Sequence, residues 1–374
     1  MSYTTTLFLG RRLWSGAALY FDPEIASGEG LSHASGVAGF TNGEITRINQ
    51  PPPTPYVARL YFRQSLDLGG DASEKVEAGP NQLSDTLSTS RLDFRFGKMA
   101  AGDVFDANAY AHDPRTQFLD WALFENGAWD YPADTRGYTV GPSLELVQPA
   151  WSLRYGIFLM PRFANGLPYD YAIADNHGQV LEGEFRWSLQ ERPGVVRLLA
   201  YVNNARMGNY RETIDEPAAG MDVTRTRQSG RAKYGAGLSA EQELTREIGI
   251  FLRAGWDDGK TESFAFTEID RTLTPGVSVK GALWGRPEDI LGMAYVLNGL
   301  SADHRAYLAR GGIGFIIGDG QLHYGFEQIF ETYYALKIMG SLTLSGAYQL
   351  VENPAYNRDR GPANIASLRV HVEF

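Results

Sequence analysis

The chain contains no cysteine among its 374 residues, which excludes a disulfide framework, a thiolate metal site and a cysteine nucleophile. Long hydrophobic runs are missing too. Nothing approaches the roughly 18 consecutive apolar residues of a transmembrane helix; the 43% of hydrophobic residues come in short, broken stretches. Positive charge is in deficit, with 34 Lys+Arg against 44 Asp+Glu, so the basic footprint of a nucleic-acid binder is absent. The opening MSYTTTLFLG lacks a basic segment followed by an apolar one, so an exported protein would be seen here in its mature form. The six histidines (His33, His112, His177, His304, His323 and His371) are dispersed without paired-ligand spacing. Asp319-Gly320 and Asn357 with Asp359 do not complete a calcium loop. The run Gly311, Gly312, Gly314, Gly318 lacks dinucleotide-fingerprint spacing, and His112-Asp113 has no serine in a nucleophile elbow. No catalysis, metal or cofactor is expected.

Glycine and aromatic residues are plentiful: 42 Gly, 7 Trp, 20 Tyr and 19 Phe. A soluble chain averages about 7% Gly, whereas membrane β-barrels use aromatics as interfacial girdles and Gly at turns and kinks. Period-two alternation runs from end to end. From Val57 to Leu68, Ala58, Leu60, Phe62, Gln64, Leu66 and Leu68 share one face, and Arg59, Tyr61, Arg63, Ser65 and Asp67 the other. Leu92, Phe94 and Phe96 oppose Arg91, Asp93 and Arg95. Trp151, Leu153, Tyr155, Ile157 and Leu159 form a further apolar face. Leu181, Phe185, Trp187 and Leu189 oppose Glu182, Glu184, Arg186 and Ser188; Ile248, Ile250, Leu252 and Trp256 oppose Phe251 and Arg253. Leu368, Val370, Val372 and Phe374 alternate with Ser367, Arg369, His371 and Glu373. In a porin-like barrel the apolar set meets lipid and the charged set a watery lumen. A soluble all-β carbohydrate-binding protein would turn its apolar face inward instead.

Connection lengths separate these alternatives. Counting back from Phe374, the connections fall at 352–364, 337–338, 299–321, 287–288, 258–276, 243–247, 205–230, 191–193, 161–178, 148–150 and 100–137, long and short in strict alternation. Short periplasmic turns alternating with long extracellular loops mark an outer-membrane barrel. The first quarter departs from this, with a long connection at 69–89 and a Gly- and Pro-rich loop at 25–53 ending in Pro51, Pro52 and Pro53. About fifteen strands are countable, whereas bacterial barrels use even numbers, so one is expected to be missed or split before Arg91.

Several segments together resemble the carbohydrate-selective porins of the OprB family: TTTLFLG, PEIASGEGLSHASGVAGFTNGE (23–44), GKMAAGDVFDANAYAHDPRTQFLDWAL (97–123), GAWDYPADTRGYTVG (127–141), GGIGFIIGDGQLHYGFEQIFETYY (311–334), NPAYNRDRGP (353–362) and the closing LRVHVEF. The resemblance implies a monomeric transmembrane antiparallel barrel of about 16 strands, residues 1–374 in one domain, passing mono- or oligosaccharides and ions across the bacterial outer membrane. Export of a polysaccharide through the same conduit is the alternative. Phe374, aromatic at the tip of an alternating strand, resembles the signal read by the barrel-insertion machinery.

A diffusion pore needs a constriction rather than a catalytic group. Segment 100–137 is the longest loop and carries Asp103, Asp106, His112, Asp113, Arg115, Asp130, Asp134 and Arg136 interleaved with Trp121, Trp129 and Tyr131. It is expected to fold into the lumen. Arg59, Tyr61, Arg63, Arg91, Asp93 and Arg95 on lumen-facing parity, with Arg115, Trp121, Trp129 and Glu331, are the candidate pore-lining residues. Guanidinium forks suit hydroxyls or carboxylates; the competing role for each is to brace the wall.

Overall fold

A computed structural model describes residues 1–45, 53–70, 72–216 and 220–374. Pro51 and Pro52 lie outside the described residues. The strands are β1 (Ser2–Thr6), β2 (Leu9–Trp14), β3 (Ala17–Gly28), β4 (Tyr56–Asp67), β5 (Ser73–Val76), β6 (Asp85–Ser88), β7 (Arg91–Met99), β8 (Thr139–Val147) and β9 (Trp151–Leu159). They continue as β10 (His177–Leu189), β11 (Arg192–Met207), β12 (Gln228–Glu243), β13 (Ile248–Asp257), β14 (Arg271–Lys280), β15 (Ile290–Gly299), β16 (Glu327–Met339), β17 (Leu342–Glu352) and β18 (Ala363–Val372). Among the described residues three short α-helices, α1 (Trp121–Phe124), α2 (Tyr210–Asp215) and α3 (Ala302–Ala309), sit in long connections. Among the described residues no helix is long and apolar enough to cross a membrane.

Sixteen strands form one sheet in which each ribbon pairs with the next in sequence, and β5–β6 is a separate hairpin. β1 covers Glu24–Gly28 and β2 covers Ala17–Phe21, so the two lie end to end against β3. Sixteen strands less that one division make fifteen ribbons. The split strand is therefore before Arg91.

The alternation behaves as lipid-outside, lumen-inside. Leu60, Leu66, Phe96, Leu153, Leu181, Phe185, Leu198, Leu252 and Trp256 are exposed, and Leu368 is 74% exposed. Their neighbours Tyr61, Arg63, Asp93, Arg154, Glu182, Glu184, Arg197 and Arg253 are buried. A soluble β-protein would show the reverse, because its apolar faces have only each other to pack against.

Apart from the long connection between β4 and β7, the rims also sort by length. Connections 148–150, 190–191, 244–247, 281–289 and 340–341 lie on one rim, and 100–138, 160–176, 208–227, 258–270, 300–326 and 353–362 on the other, which the barrel rule makes extracellular. The 281–289 turn is longer than the sequence expectation of 287–288. β14 stops at Lys280, a 3-10 turn follows at Gly281–Trp284, and Gly285 adopts φ 78°, a left-handed conformation natural to glycine. Asn209 and Ser301 cap α2 and α3 by accepting from the Glu212 and His304 amides.

The buried apolar residues lie inside the tube, where connection 100–138 folds inward. Phe118, Ala122 and Leu123 pack with Phe251, Ala294, Val296, Ile329 and Tyr333 on β13, β15 and β16. Phe105, Trp121, Phe124, Trp129 and Tyr131 pack with Phe158, Val180, Leu199 and Tyr201 on β9–β11. The periplasmic connection 69–89 does more than join two strands. Its Gln82 meets Arg63 at 3.2 Å, and its Leu83 donates its amide to the Tyr20 hydroxyl at 3.4 Å and packs against the cluster that holds Tyr20 and Tyr61, both on lumen-facing positions.

Candidate constriction site

Two sets of lumen-facing groups line the inside of the sheet where connection 100–138 folds inward. The first consists of side chains that hold the inward loop by its backbone. Glu331 accepts the Leu119 and Asp120 amides at 2.7 and 3.0 Å and the Gln349 side chain at 2.9 Å. Glu182 accepts the Asp106 amide at 2.7 Å, and Glu241 that of Ala109 at 2.6 Å. Arg253, fully buried, donates to the carbonyls of Ala111 (2.6 Å), Leu123 (2.8 Å) and Asp106 (2.8 Å), and its Nε lies 3.0 Å from the Asp106 carboxylate. Asp106 in turn accepts the Asn126 amide at 2.7 Å. An irregular loop inside a barrel leaves many backbone groups without a ladder partner, and buried orphans are costly. Strand-borne carboxylates and the guanidinium groups of Arg253 and of Arg369, which donates to the Pro114 and Gln117 carbonyls at 2.6 and 3.0 Å, meet that need here.

The second set is a belt of alternating charge on β4 and β7–β12. Arg63 meets Asp93 at 3.0 Å; Asp93 also meets Arg91 at 3.2 Å and accepts from Ser65. Arg95 lies 3.4 Å from Glu145, which pairs with Arg154 at 2.9 Å. Arg154 reaches Glu182 at 2.7 Å and Glu184 at 3.0 Å; Glu184 meets Arg197 at 2.8 Å, and Arg197 lies 3.4 Å from Glu241. Register explains the continuity, because Glu145 faces Arg154, Arg154 faces Glu182 and Glu184 faces Arg197 across adjacent strands. The side chains of Arg59, Arg63, Arg91, Arg95, Arg154 and Arg197 keep 9–16% exposure. As whole residues Arg63, Arg154 and Arg197 are buried, whereas Arg59, Arg91 and Arg95 are half-buried and stay in contact with water while already paired.

The ten expected residues are thus brought together in part. Arg63, Arg91, Asp93 and Arg95 share one wall, with Tyr61 stacked on Tyr20 at 4.9 Å beside them. Arg59 belongs to a neighbouring node: it grips Asp103 of the loop through two 2.7 Å hydrogen bonds, and its Nη1 is 3.6 Å from Asp22. Asn81, from the periplasmic connection, reaches that same Asp22 with its amide nitrogen at 2.7 Å. Arg115 stands apart, facing Glu24 (3.0 Å), Glu44 (3.1 Å) and Thr6 (2.9 Å). Desolvation pulls its pKa down, but Glu44 and Glu24 outweigh it and hold the guanidinium firmly charged. Trp121 lies flat on Phe266 at 3.8 Å and Trp129 is edge-on to Phe105, both buried within the loop. Glu331 is likewise buried under the loop.

Sequence reasoning missed Arg154, Arg197 and Glu145 as belt members. Parity contained the signal: Arg154 alternates with Leu153 and Tyr155, as Arg95 does with Phe94 and Phe96. It also missed Arg253 as the loop's main anchor, because the carbonyls it meets are about 130 to 147 positions away.

Comparisons agree with this geometry. The model of the family described as carbohydrate-selective porin, OprB family, matches residues 7–374. Among solved structures, the high-pH structure of Pseudomonas putida OprB is similar at TM-score 0.72 and 17% identity, covering 100% of this chain and 88% of that one. The low-pH structure of Pseudomonas putida OprB follows at TM-score 0.52 and 14% identity, covering 100% and 85%. At those identities the likeness concerns the fold. No curated protein matches the chain.

Proposed function

Because this chain belongs to the carbohydrate-selective porin, OprB family, and is an outer-membrane barrel for carbohydrate diffusion, we propose that its solute path runs between the inward loop and the charged belt. The observation that carries this reading is the partial exposure of Arg59, Arg91 and Arg95 beside the full burial of Arg253. Groups that only brace a wall are sealed, whereas groups that meet a passing solute must stay wet. Hydroxyls of a sugar would exchange with water at Arg91 and Arg95, with Arg59 at the outer entrance, while the buried Asp93, Arg63 and Tyr61 behind them hold that wall in place. Paired guanidinium and carboxylate groups offer donors and acceptors in alternation without a large net field, which suits a neutral polyol better than an ion.

In this reading Arg115, Trp121, Trp129 and Glu331 shape the path by fixing the loop rather than by touching the sugar, and residues 1–374 act as one barrel unit around it. The barrel functions as a monomer, with Phe374 presented to the insertion machinery from an exposed chain end.

Planar-bilayer recording tests the proposal. Single-channel steps should be blocked by a small neutral sugar, and Arg59→Ala or Arg91→Ala should change both the block and the conductance. Unchanged sugar flux and conductance in both variants would reject it.

A further inference from the structure

The antiparallel neighbours β4 and β7 pair down to Asp67 and Arg91, so a two-residue hairpin turn would be enough to join them. Residues 68–90 intervene instead, on a rim whose other connections are shorter. Chain far in excess of the span it bridges marks a functional loop. This one enters the tube. Asn81 reaches Asp22 at 2.7 Å, and Asp22 lies five positions above Ala17, where β3 starts, which is roughly 17 Å along the strand. Arg59 lies 3.6 Å from the same Asp22 while it grips Asp103 of the extracellular loop. Two inward segments, one from each side of the membrane, therefore come together at one ion pair.

The tip of the periplasmic segment is a preformed knuckle. Gly79 and Gln82 exchange both backbone hydrogen bonds at 3.0 Å. Between them Pro80 presets its own φ, and Asn81 takes φ 56°, a conformation that Asn tolerates. Among the described residues every hydrogen bond from 79–87 to the barrel wall involves a side chain. Gln82 accepts from Arg63 at 3.2 Å, the Leu83 amide donates to the Tyr20 hydroxyl at 3.4 Å, and Arg12 donates to the Ser84 carbonyl at 2.8 Å and to Asp85 at 3.1 Å. Lower down, Glu74 of β5 meets Arg91 at 2.8 Å. Register sets Arg63 directly opposite Arg95. Gln82 thus stands level with a guanidinium that keeps part of its water.

We propose that Asn81 and Gln82 are further selectivity residues of this pore, narrowing it from the periplasmic side so that a sugar moving between Arg59 and Arg91 exchanges hydrogen bonds with their amides. The proposal rests on the path assigned above between the inward loop and the charged belt. A carboxamide carries two donors and an acceptor without charge, which complements a neutral hydroxyl. Both residues are half-buried, so they present these groups beside the guanidinium row rather than behind it. A knuckle seated on side-chain bonds, with no strand ladder to the wall, can also give way as a larger solute passes.

Three measurements in the cysteine-free chain test this. Gly10→Cys with Leu83→Cys should form a disulfide under mild oxidation. A Cβ at Gly10 would lie 3.2 Å from Leu83 Cγ, one bond from its Cβ, within reach of the roughly 3.5–4.5 Å that a disulfide asks of two Cβ atoms. In planar bilayers, Gln82→Cys should lose conductance when a trimethylammonium methanethiosulfonate is added. Asn81→Gly combined with Gln82→Ala should shorten the residence time of a blocking neutral sugar about two- to tenfold, the contribution of one hydrogen bond. Failure of the disulfide to form, conductance untouched by the reagent, or an unchanged residence time would each overturn the proposal. If Arg59→Ala and Arg91→Ala alter the block while the Asn81/Gln82 variant does not, this proposal alone falls. If all three leave it unchanged, the path itself is rejected as well.

Discussion

The lumen wall of β7–β12 and that of β13–β17 are built by the same alternation and serve different ends. On β7–β12 the inward positions include Asp93, Arg95, Glu145, Arg154, Glu184, Arg197 and Glu241, each cation lying between carboxylates. On β13–β17 they include Phe251, Gly276, Gly292, Ala294, Val296, Ile329 and Tyr333, against which Phe118 and Leu123 of the loop are packed. One half is the wetter because Arg91 and Arg95 keep part of their exposure beside paired charges that are themselves buried; the other is dry because small neutral residues let a loop approach. A constricted pore needs both, one wall to carry the obstruction and one to leave a passage.

The largest effect should come from breaking the dry half's anchor. Arg253→Ala leaves Asp106 buried without its cation and three loop carbonyls without a donor, a loss of about 3–5 kcal/mol for a buried pair cut on one side. Heat-modifiability on gels should shift to lower temperature, and single-channel conductance should rise several-fold with flicker as the loop loosens. Next is the wet half. Arg154→Ala strips the shared cation from Glu145, Glu182 and Glu184, so reversal potentials in a salt gradient should move toward cation selectivity. Adding Glu145→Gln should restore part of the shift, since these neighbours are coupled. A smaller change is expected from Gly276→Ala, whose new Cβ would fall 2.2 Å from the Phe251 ring tip. The ring must move against Phe118, at about 1–3 kcal/mol for overpacking, with conductance altered and ion selectivity unchanged. If Gly276→Ala alters selectivity as strongly as Arg154→Ala does, the division between the two walls fails.

The smallest effect concerns pH. Glu125 in the loop has its pKa raised well above 4.5 by burial, with Asp106 adding to it. A carboxyl raised on folding favours the folded loop at low pH, and that contribution is lost as pH climbs from the unfolded value through the folded one. Glu125→Gln should flatten the dependence of the thermal midpoint on pH above about 4.5 while leaving conductance near neutral pH unchanged.

Much of this was legible from residue order. Lipid-facing Leu60, Leu153 and Leu368 and lumen-facing Arg63, Arg95 and Glu184 follow from period two, because a strand sends alternate side chains to opposite faces whatever surrounds it. The long and short rims followed from connection lengths. Less legible was the role of each charge. Arg95 and Arg253 look alike in an alternating strand, yet one lines the wet wall and the other is sealed beneath a loop.

By itself, then, the sequence determined the barrel, its inside and outside, and the loop that enters it, since these depend on local periodicity and polarity. Tertiary structure alone decided that Glu331 and Arg253 hold that loop, that Trp121 stacks on Phe266, and that the periplasmic connection reaches Asp22 through Asn81. Those contacts join residues far apart in the chain. Which carbonyl or carboxylate a buried side chain meets is settled only when the closing sheet and the inward loops compete for the same small volume.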